Sequence, residues 1–106
     1  MIYRLWTTGV DPAQLDRYRE FARERSVPMF REQPGFRDVV FLQDGDEHWV
    51  LTVWDSMADV DALATSRSYV ATAKALGATG ILTGEQRVRI LAPEVAAGPL
   101  GAAPRA

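Results

Sequence analysis

Two tryptophans stand where they could bind an aromatic compound. Trp54 ends a strand-like segment and shares one face of it with Val50 and Thr52, and Trp6 lies in the first strand-like segment. Indole rings on one sheet face could form a wall on which a phenolic ring stacks, at centroid spacings of about 4.5–7 Å. The alternative is that Trp54 is a core residue whose N–H donates to a backbone carbonyl.

Three side chains could supply charge or protons beside that wall. Arg4 lies on the same strand face as Trp6, and its planar guanidinium could both pair with a phenolate or carboxylate and stack on a ring. Tyr69 and Lys74, on a later helix-like segment, are the candidate general acids or bases. The competing interpretations are a surface ion pair for Arg4 and an exposed side chain for Lys74.

His48 and the segment around Phe30 supply the other candidates. His48 is the single histidine and begins a strand beside an acidic turn at residues 44–47. One imidazole with turn carboxylates lacks the converging ligands of a metal site, so we expect no metal there and consider His48 as a proton relay at the pocket mouth. Met29 and Phe30 follow the first helix-like segment and could form a flexible lid or pack under a loop.

Composition and charge exclude several classes of partner. The chain has 106 residues with 12 Lys and Arg against 14 Asp and Glu, so it lacks the basic field that nucleic acid requires. No apolar run approaches the roughly 20 residues of a membrane span, so no membrane partner is expected. The sequence has no cysteine, which excludes disulfides and thiolate metal sites and fits a cytoplasmic protein. We predict that no cofactor is bound.

The first third of the chain is expected to form a strand and a helix. β-Branched and aromatic residues predict a strand at Ile2–Thr8, closed by Gly9. A helix is expected from Pro12 to about Arg25, with Asp11 as its N-cap. The sequence Ser26-Val27-Pro28 is expected to interrupt that helix.

The rest of the chain predicts a hairpin, a helical region and a last strand. Two strands are expected at residues 36–42 and 47–55, joined by a turn at 44–45. A helical region is expected at 57–76 and a last strand at 81–91. Asp44-Gly45 suits the positive φ of a tight hairpin turn. Ser56 and Asp59 resemble a capping box for the helical region, which is expected to break near Ser66.

The order β-α-β-β-α-β predicts an α+β fold, the ferredoxin-like sandwich. We expect residues 1–92 to form this domain and the Pro-, Ala- and Gly-rich residues 93–106 to be a flexible tail. Both faces of the middle strands are largely apolar, yet two helices cover only one face of a four-stranded sheet. The economical cover for the other face is a second copy of the chain, so a homodimer that closes into an α/β barrel is expected.

Three stretches resemble the antibiotic biosynthesis monooxygenase superfamily of dimeric α/β barrels. They are Gln33-Pro-Gly-Phe36, then Trp49-Val-Leu-Thr-Val-Trp-Asp-Ser56, then the helical stretch 62–76 with Ser66-Arg-Ser-Tyr69. The pattern covers about residues 2–91 and implies the fold. It does not specify one chemistry, because the superfamily includes anthrone oxygenases, quinol oxygenases and haem-degrading enzymes.

The resemblance argues against haem degradation. The haem-degrading branch uses an Asn on the first strand, a Trp on the second helix and a His further along that helix. The Trp position falls here on Leu63 and the His position on Ala73 or Thr72, and the chain contains no asparagine. Because all three residues are missing and His48 lies on another element, haem degradation and haem ligation are rejected.

The cofactor-independent anthrone oxygenases of aromatic polyketide pathways match better. Their strand-ending Trp corresponds to Trp54, and a basic residue of their second helix corresponds to Lys74. Their Asn and Tyr correspond to Val50 and Val60, so those two polar groups are absent. The resemblance therefore implies an aromatic-lined pocket without the detailed mechanism.

The residues and the resemblance together predict a cofactor-independent monooxygenase for a small aromatic substrate of the anthrone or quinol type, with dioxygen as the second reactant. A base, a positive charge for the developing anion and a dry pocket are what such chemistry requires. The assigned catalytic residues are Trp54, Tyr69, Lys74 and His48, and the assigned substrate-binding residues are Trp6, Arg4, Phe30, Val50, Val60 and Leu63. Two alternatives stay open: a non-catalytic dimeric domain that binds a small molecule, and an isomerase or cyclase on the same scaffold.

Overall fold

Antiparallel strands form a single four-stranded sheet. The computed structural model describes residues 1–101; residues 102–106, the end of the expected tail, lie outside the described part. The strands are β1 (Ile2–Val10), β2 (Phe36–Asp44), β3 (Glu47–Trp54) and β4 (Leu82–Leu91). Their order in the sheet is β2-β3-β1-β4. This arrangement, with helical regions between β1 and β2 and between β3 and β4, confirms the α+β ferredoxin-like fold.

The first helical region is longer than the sequence predicts. It runs without a break through a 3₁₀ turn, an α-helix, a π-helical segment and a second α-helix: Pro12–Gln14, α1 (Leu15–Phe21), Ala22–Ser26 and α2 (Val27–Arg31). The expected interruption at residues 26–28 is therefore wrong. The N–H of Val27 donates to the carbonyl of Ala22, five residues back. This wider π turn lets the backbone accept Pro28, which has no N–H to donate to the preceding turn.

The second helical region begins and breaks as expected. It consists of α3 (Met57–Ala62), a 3₁₀ turn (Leu63–Thr65) and α4 (Arg67–Ala78). Ser56 Oγ accepts from the Asp59 N–H at 3.4 Å, which confirms Ser56 as the cap of α3, and the same hydroxyl donates to Asp59 Oδ2 at 2.9 Å. Ser66 caps α4, because its Oγ accepts from the Tyr69 N–H at 3.3 Å.

Two glycines of the sheet, Gly9 and Gly45, lie at positions that disfavour a side chain. Strand β1 continues past Gly9, which lies opposite Thr83 beside a β-bulge. A Cβ on Gly9 would lie 2.5 Å from Thr83 Oγ1, so this glycine permits close approach of β4 and does not end the strand. Gly45 has φ +58° in the β2–β3 turn, as the Asp44-Gly45 pair predicts.

The two faces of the sheet have different surroundings. The helices pack on the face that carries Val50, Thr52 and Trp54, and all three are buried. The opposite face carries Leu51, half-buried at its centre, and the exposed Leu42. After β4, the last described element is a 3₁₀ turn at Pro99–Gly101. The Leu100 carbonyl in this turn accepts a hydrogen bond from Tyr3 Oη at 2.9 Å.

The Pro-Gly-Phe motif joins the end of α2 to the β3–α3 junction. Gly35 has φ +77°, and its carbonyl accepts from the Asp55 N–H at 2.9 Å. A Cβ on Gly35 would overlap the carboxylate of Asp59, the same carboxylate that completes the α3 cap. The glycine is therefore required both by its backbone conformation and by the space above it.

Gly35→Ala is expected to destabilise the protein more than Gly45→Ala. Both substitutions force alanine into a left-handed conformation, at a cost of about 1–2 kcal/mol. Gly45 has open space around it, whereas Gly35→Ala also displaces Asp59 from the helix cap, and the total loss is expected to reach about 2–4 kcal/mol. Urea denaturation measures both, and equal losses would contradict the role given to Asp59.

Candidate functional site

A cavity of about 180 Å³ lies between the sheet and the helices. Its lining is mostly aromatic and aliphatic, with few polar groups. The lining residues are Arg4, Trp6, Tyr18, Phe21, Ala22, Ser26, Met29, Phe30, Phe41, Val50, Tyr69, Thr72, Ala73, Leu76, Gly77, Leu82 and Gln86. No carboxylate and no imidazole is among them. Such a cavity suits an apolar ring with few hydrogen-bonding groups.

The most polar feature of the cavity is a contact between Arg4 and Tyr69. Arg4 Nη2 donates to Tyr69 Oη at 2.8 Å, and the Arg4 Cζ lies 5.5 Å from the centre of the Tyr69 ring. Within residues 1–101 no carboxylate forms an ion pair with Arg4, so the surface ion pair considered above is wrong. The guanidinium therefore brings a positive charge to an apolar cavity without a counter-ion from the described chain.

A buried network holds the backbone of Arg4. Trp54 Nε1 donates to Thr52 Oγ1 at 2.8 Å, and Thr52 Oγ1 donates to the Arg4 carbonyl at 3.3 Å. Thr52 lies directly opposite Arg4 in the β1–β3 ladder, and neither Thr52 nor Trp54 has any exposed surface. This network fixes the position along β1 from which the guanidinium enters the cavity.

Tyr69 is held by the first turn of α4. The Ser66 hydroxyl, which caps α4 by accepting from the Tyr69 N–H, also donates to Gln33 Oε1 at 2.9 Å. Gln33 Nε2 in turn donates to Ser68 Oγ at 2.8 Å and to the Met29 carbonyl at 3.2 Å. Gln33 is buried and so ties the end of α2 to the start of α4, which positions the tyrosine opposite Arg4.

Phe30 links the cavity to the aromatic core behind it. Its ring centroid lies 6.3 Å from that of Tyr69, 6.4 Å from Trp54 and 6.3 Å from Phe36. Met29 and Phe30 both lie on α2 and are buried in the main core cluster. The flexible-lid interpretation of these two residues is therefore wrong, because they are helical core residues that also line the cavity.

Some assigned site residues pack in the core and do not reach the cavity. Arg4, Trp6, Phe30, Val50 and Tyr69 line it. Trp54, Val60 and Leu63 do not; they are buried together where α3 packs on the end of β3. The cavity wall expected from Trp54 is therefore formed by other rings, and the indole N–H is satisfied by the Thr52 hydroxyl.

Lys74 lies outside the cavity. It is exposed and lines a separate surface depression with Ser66, Arg67 and Val70. Residues 69, 72, 73 and 76 of α4 face the cavity, and successive residues of an α-helix are rotated by about 100°, so position 74 points elsewhere. The cation near the cavity comes from β1 instead of the helix.

His48 lies behind the cavity lining. Its side chain is 6% exposed and packs edge-on against the ring of Tyr18, with 5.2 Å between centroids. Burial, together with the nearby positive charge of Arg19, lowers the pKa of His48, and Asp46 opposes this effect. The imidazole is separated from the cavity by Tyr18, so it is not the relay at the pocket mouth that the sequence indicates.

Most of the cavity wall is formed by residues that the sequence does not single out as site residues. Tyr18, Phe21 and Ala22 form an apolar stripe at helical spacing, which predicts burial. The same stripe serves equally for packing or for lining a cavity, and only the arrangement of the helices over the sheet distinguishes the two. Gln86 was missed because it follows the Gly84 irregularity in β4.

The described part of the chain offers no cluster of three or more His, Cys, Asp or Glu side chains that could hold a metal ion. No helix in residues 1–101 is long and apolar enough to cross a membrane.

The chain folds as a small α+β domain with a cavity between its sheet and its helices. The family model for antibiotic biosynthesis monooxygenases matches residues 1–75. The chain therefore belongs to the antibiotic biosynthesis monooxygenase family. A comparison with curated proteins finds no match.

Solved structures share the whole fold at low sequence identity. A monooxygenase from the gene ActVA-Orf6 of Streptomyces coelicolor, solved with nanaomycin D, is 22% identical with a TM-score of 0.78, over 92% of this chain and 91% of that one. Rv0793 from Mycobacterium tuberculosis is 20% identical with a TM-score of 0.72, over 92% and 98%. SnoaB from Streptomyces nogalater, a cofactor-independent oxygenase solved in a mutant form, is 18% identical with a TM-score of 0.71, over 90% and 94%.

The lowered pKa of His48 predicts a loss of stability in mild acid. A histidine that binds a proton less readily when folded than when unfolded favours unfolding once the pH falls below the unfolded pKa, about 6.5. The free energy of unfolding should therefore be level above pH 7 and decline as pH falls through 6.5, by at most about 1.4 kcal/mol per pH unit. His48→Phe keeps the ring contact with Tyr18 and should lack this decline. Parallel pH curves for the two proteins would contradict the assignment.

Proposed function

We propose that the protein is a monooxygenase that binds a one- or two-ring phenol or quinol in this cavity and inserts one atom of dioxygen into it. The Arg4–Tyr69 contact is the observation that carries the proposal. The size of the ring system follows from the cavity, since about 150 Å³ holds benzene and this cavity measures about 180 Å³.

The charge in the cavity favours a ligand that can become an anion. A guanidinium without a carboxylate partner stabilises a phenolate in apolar surroundings and lowers the pKa of a bound phenol. Tyr69 Oη accepts its hydrogen bond from Arg4, so its own proton is available for the same ligand oxygen. Arg4 and Tyr69 together would hold that oxygen, while Trp6 and Phe30 contact the ring.

The reaction draws all its electrons from the substrate. With α-naphthol as the example, the proton of the phenol leaves to solvent and the phenolate transfers an electron to dioxygen. A C–O bond then forms at the ring carbon para to the phenolate oxygen. The C–H bond at that carbon breaks, and the second oxygen atom leaves as water, so that naphthol and dioxygen give para-naphthoquinone and water. No cofactor is required for this balance.

Two solved structures that share the fold of this chain support this chemistry. The Streptomyces coelicolor structure is a monooxygenase in complex with nanaomycin D, and SnoaB is described as a cofactor-independent oxygenase. Both share the fold of this chain. In this chain the polar groups come from Arg4 and Tyr69, because Val50 and Val60 replace the polar residues that the anthrone oxygenases are expected to use.

A non-catalytic ligand-binding domain is the second candidate. The cavity lining contains no carboxylate or imidazole that could take a proton from the substrate. The same observation disfavours the isomerase or cyclase, because those reactions require a positioned base. The base expected from the sequence is thus not supplied by a carboxylate or imidazole of the lining; in the proposed oxygenation Arg4 stabilises the phenolate, solvent takes its proton and dioxygen removes the electrons.

Oxygen uptake tests the proposal. Metal-free protein is mixed with α-naphthol or naphthohydroquinone, and uptake is compared with heat-inactivated protein. Arg4→Gln should lower kcat/KM by about 10- to 150-fold, the loss expected for a hydrogen bond to a charged group. Arg23→Gln, at an exposed arginine on the first helical region, is the matched control and should leave the rate unchanged.

Two results would overturn the monooxygenase. One is equal rates for Arg4→Gln and Arg23→Gln. The other is tight binding of these compounds without any uptake, which would establish the ligand-binding domain instead.

A homodimer and a cytoplasmic location belong to the same proposal. The cysteine-free sequence supports the location. Support for the dimer comes from the sheet face opposite the helices, where Leu51 lies between Leu5 and Val40 in the ladder. A second copy of this face would bury these side chains.

Substitution at Leu51 tests the dimer. We expect the protein to sediment as a dimer at micromolar concentration. Leu51→Lys places a charge at the centre of the apolar face and should give a folded monomer, whereas Leu51→Ile should remain dimeric. A monomeric parent protein, or a dimer that survives Leu51→Lys, would contradict this interface.

A further inference from the structure

The cavity opens to solvent between α4 and β4. Three of its lining residues are exposed: Ala73 and Gly77 on α4, and Gln86 on β4. Ala73 and Gly77 lie one turn apart on the same side of the helix. Beyond the backbone of its own helix, a Cβ on Gly77 would have no atom within 4 Å, so there is open space at this position. The gap between Ala73, Gly77 and Gln86 is the cavity mouth.

The mouth lies at the far end of the cavity from the contact between Arg4 and Tyr69. Gly77 comes eight residues after Tyr69 on α4, and eight residues of an α-helix span about 12 Å. Gln86 comes four residues before Ile90, which pairs with Arg4, and four residues of a strand span about 13 Å. The helix and the strand therefore give similar separations between the mouth and the Arg4–Tyr69 contact.

Gln86 places a side-chain amide at the mouth. Val88, two residues later, pairs with Trp6, so Gln86 lies on the sheet face that carries the cavity. Among residues 1–101 the side-chain amide of Gln86 forms no hydrogen bond, and an amide can both donate and accept. The neighbouring charges of Glu85 and Arg87 pair with each other at 3.4 Å. The mouth therefore offers a neutral polar group to a ligand.

A bound ring system would leave the mouth unfilled. The cavity volume of about 180 Å³ is close to the roughly 150 Å³ of a cavity that holds benzene. A one- or two-ring phenol whose oxygen lies at Arg4 and Tyr69 is shorter than the distance to the mouth. A substituent on the ring farthest from that oxygen therefore extends toward Gly77 and Gln86.

We infer that Gln86 is a specificity-determining residue, whose side-chain amide hydrogen-bonds a neutral polar substituent on the ring of the ligand farthest from Arg4. Gly77 leaves the space through which this substituent passes. The substituent is neutral, because no mouth residue is charged and the adjacent Glu85 and Arg87 pair with each other. The inference rests on the proposed function for the ring system and for the position of its phenolic oxygen.

Three naphthols test the mouth under nitrogen, where no turnover occurs. One is α-naphthol, and the other two carry a carboxamide or an isopropyl group at the position of the second ring farthest from the hydroxyl. The two groups have nearly the same shape, but only the carboxamide forms hydrogen bonds. Titration calorimetry measures the affinity of each compound for the parent protein and its variants.

Gln86→Met removes the amide and keeps the length of the side chain. It should weaken binding of the carboxamide by about three- to tenfold, the effect of one neutral hydrogen bond, and leave the isopropyl compound and α-naphthol unchanged. Gln43→Met is the matched control, because Gln43 is an exposed strand residue that does not line the cavity. It should change none of the affinities.

Gly77→Leu tests the open space at the mouth. A leucine fills this space, so both substituted naphthols should bind about 5- to 150-fold more weakly, the effect of overpacking, and α-naphthol should lose less than about threefold. Leucine has a higher helix propensity than glycine, so the variant should remain folded. Ala78→Leu is the matched control, because Ala78 is the next residue of α4, is exposed and does not line the cavity. It should leave all affinities unchanged.

Three results would overturn the inference: the same change in affinity for the carboxamide and isopropyl compounds in Gln86→Met, equal effects of Gly77→Leu and Ala78→Leu, or a parent protein that binds neither substituted naphthol. Failure of the monooxygenase proposal is distinguishable from these. Selective loss of carboxamide binding in Gln86→Met together with no oxygen uptake would support Gln86 and contradict the monooxygenase. Uptake with no difference between the substituted naphthols would do the reverse.

Discussion

The proposed site depends on the contact between the Arg4 guanidinium and the Tyr69 hydroxyl at the wall of an apolar cavity. A carboxylate partner would neutralise Arg4, whereas the Tyr69 hydroxyl accepts a hydrogen bond from it and does not cancel its charge. Because the contact joins β1 to α4, it needs both elements to be placed accurately. The β1–β3 ladder and the Thr52–Trp54 network fix one side. The Ser66 cap and its link to Gln33 fix the other.

Several residues of the family motifs stabilise the fold and do not line the cavity. Gln33 connects α2 to α4, and Gly35 contacts the α3 cap. Both residues belong to the motif that resembles the superfamily, and neither lines the cavity. Trp54, from the second motif, likewise acts through Thr52 and through packing. Val50 of the second motif and Tyr69 of the third do line the cavity, whereas Arg4, Trp6 and Phe30 lie outside the three motifs.

The sequence predicts most of the frame because the signals for it are local. Alternating residues, the Ser56 cap and the Gly45 turn each depend on a few neighbours, and the structure bears them out. Trp6 and Trp54 show the limit of such signals. Both lie on the helix-facing side of the sheet, but α3 packs over Trp54 while a gap remains over Trp6. That difference depends on where the helices pack on the sheet, and the residue pattern of a strand does not predict their placement.

In the proposed reaction, dioxygen reacts with a substrate held in this cavity. The most direct measurement is the mass of the quinone formed from α-naphthol in an atmosphere of heavy-isotope dioxygen and ordinary water. Each quinone molecule should carry one heavy oxygen atom, and the water formed should carry the other. A quinone with no heavy atom would show that its oxygen came from water, and it would contradict the proposed monooxygenase.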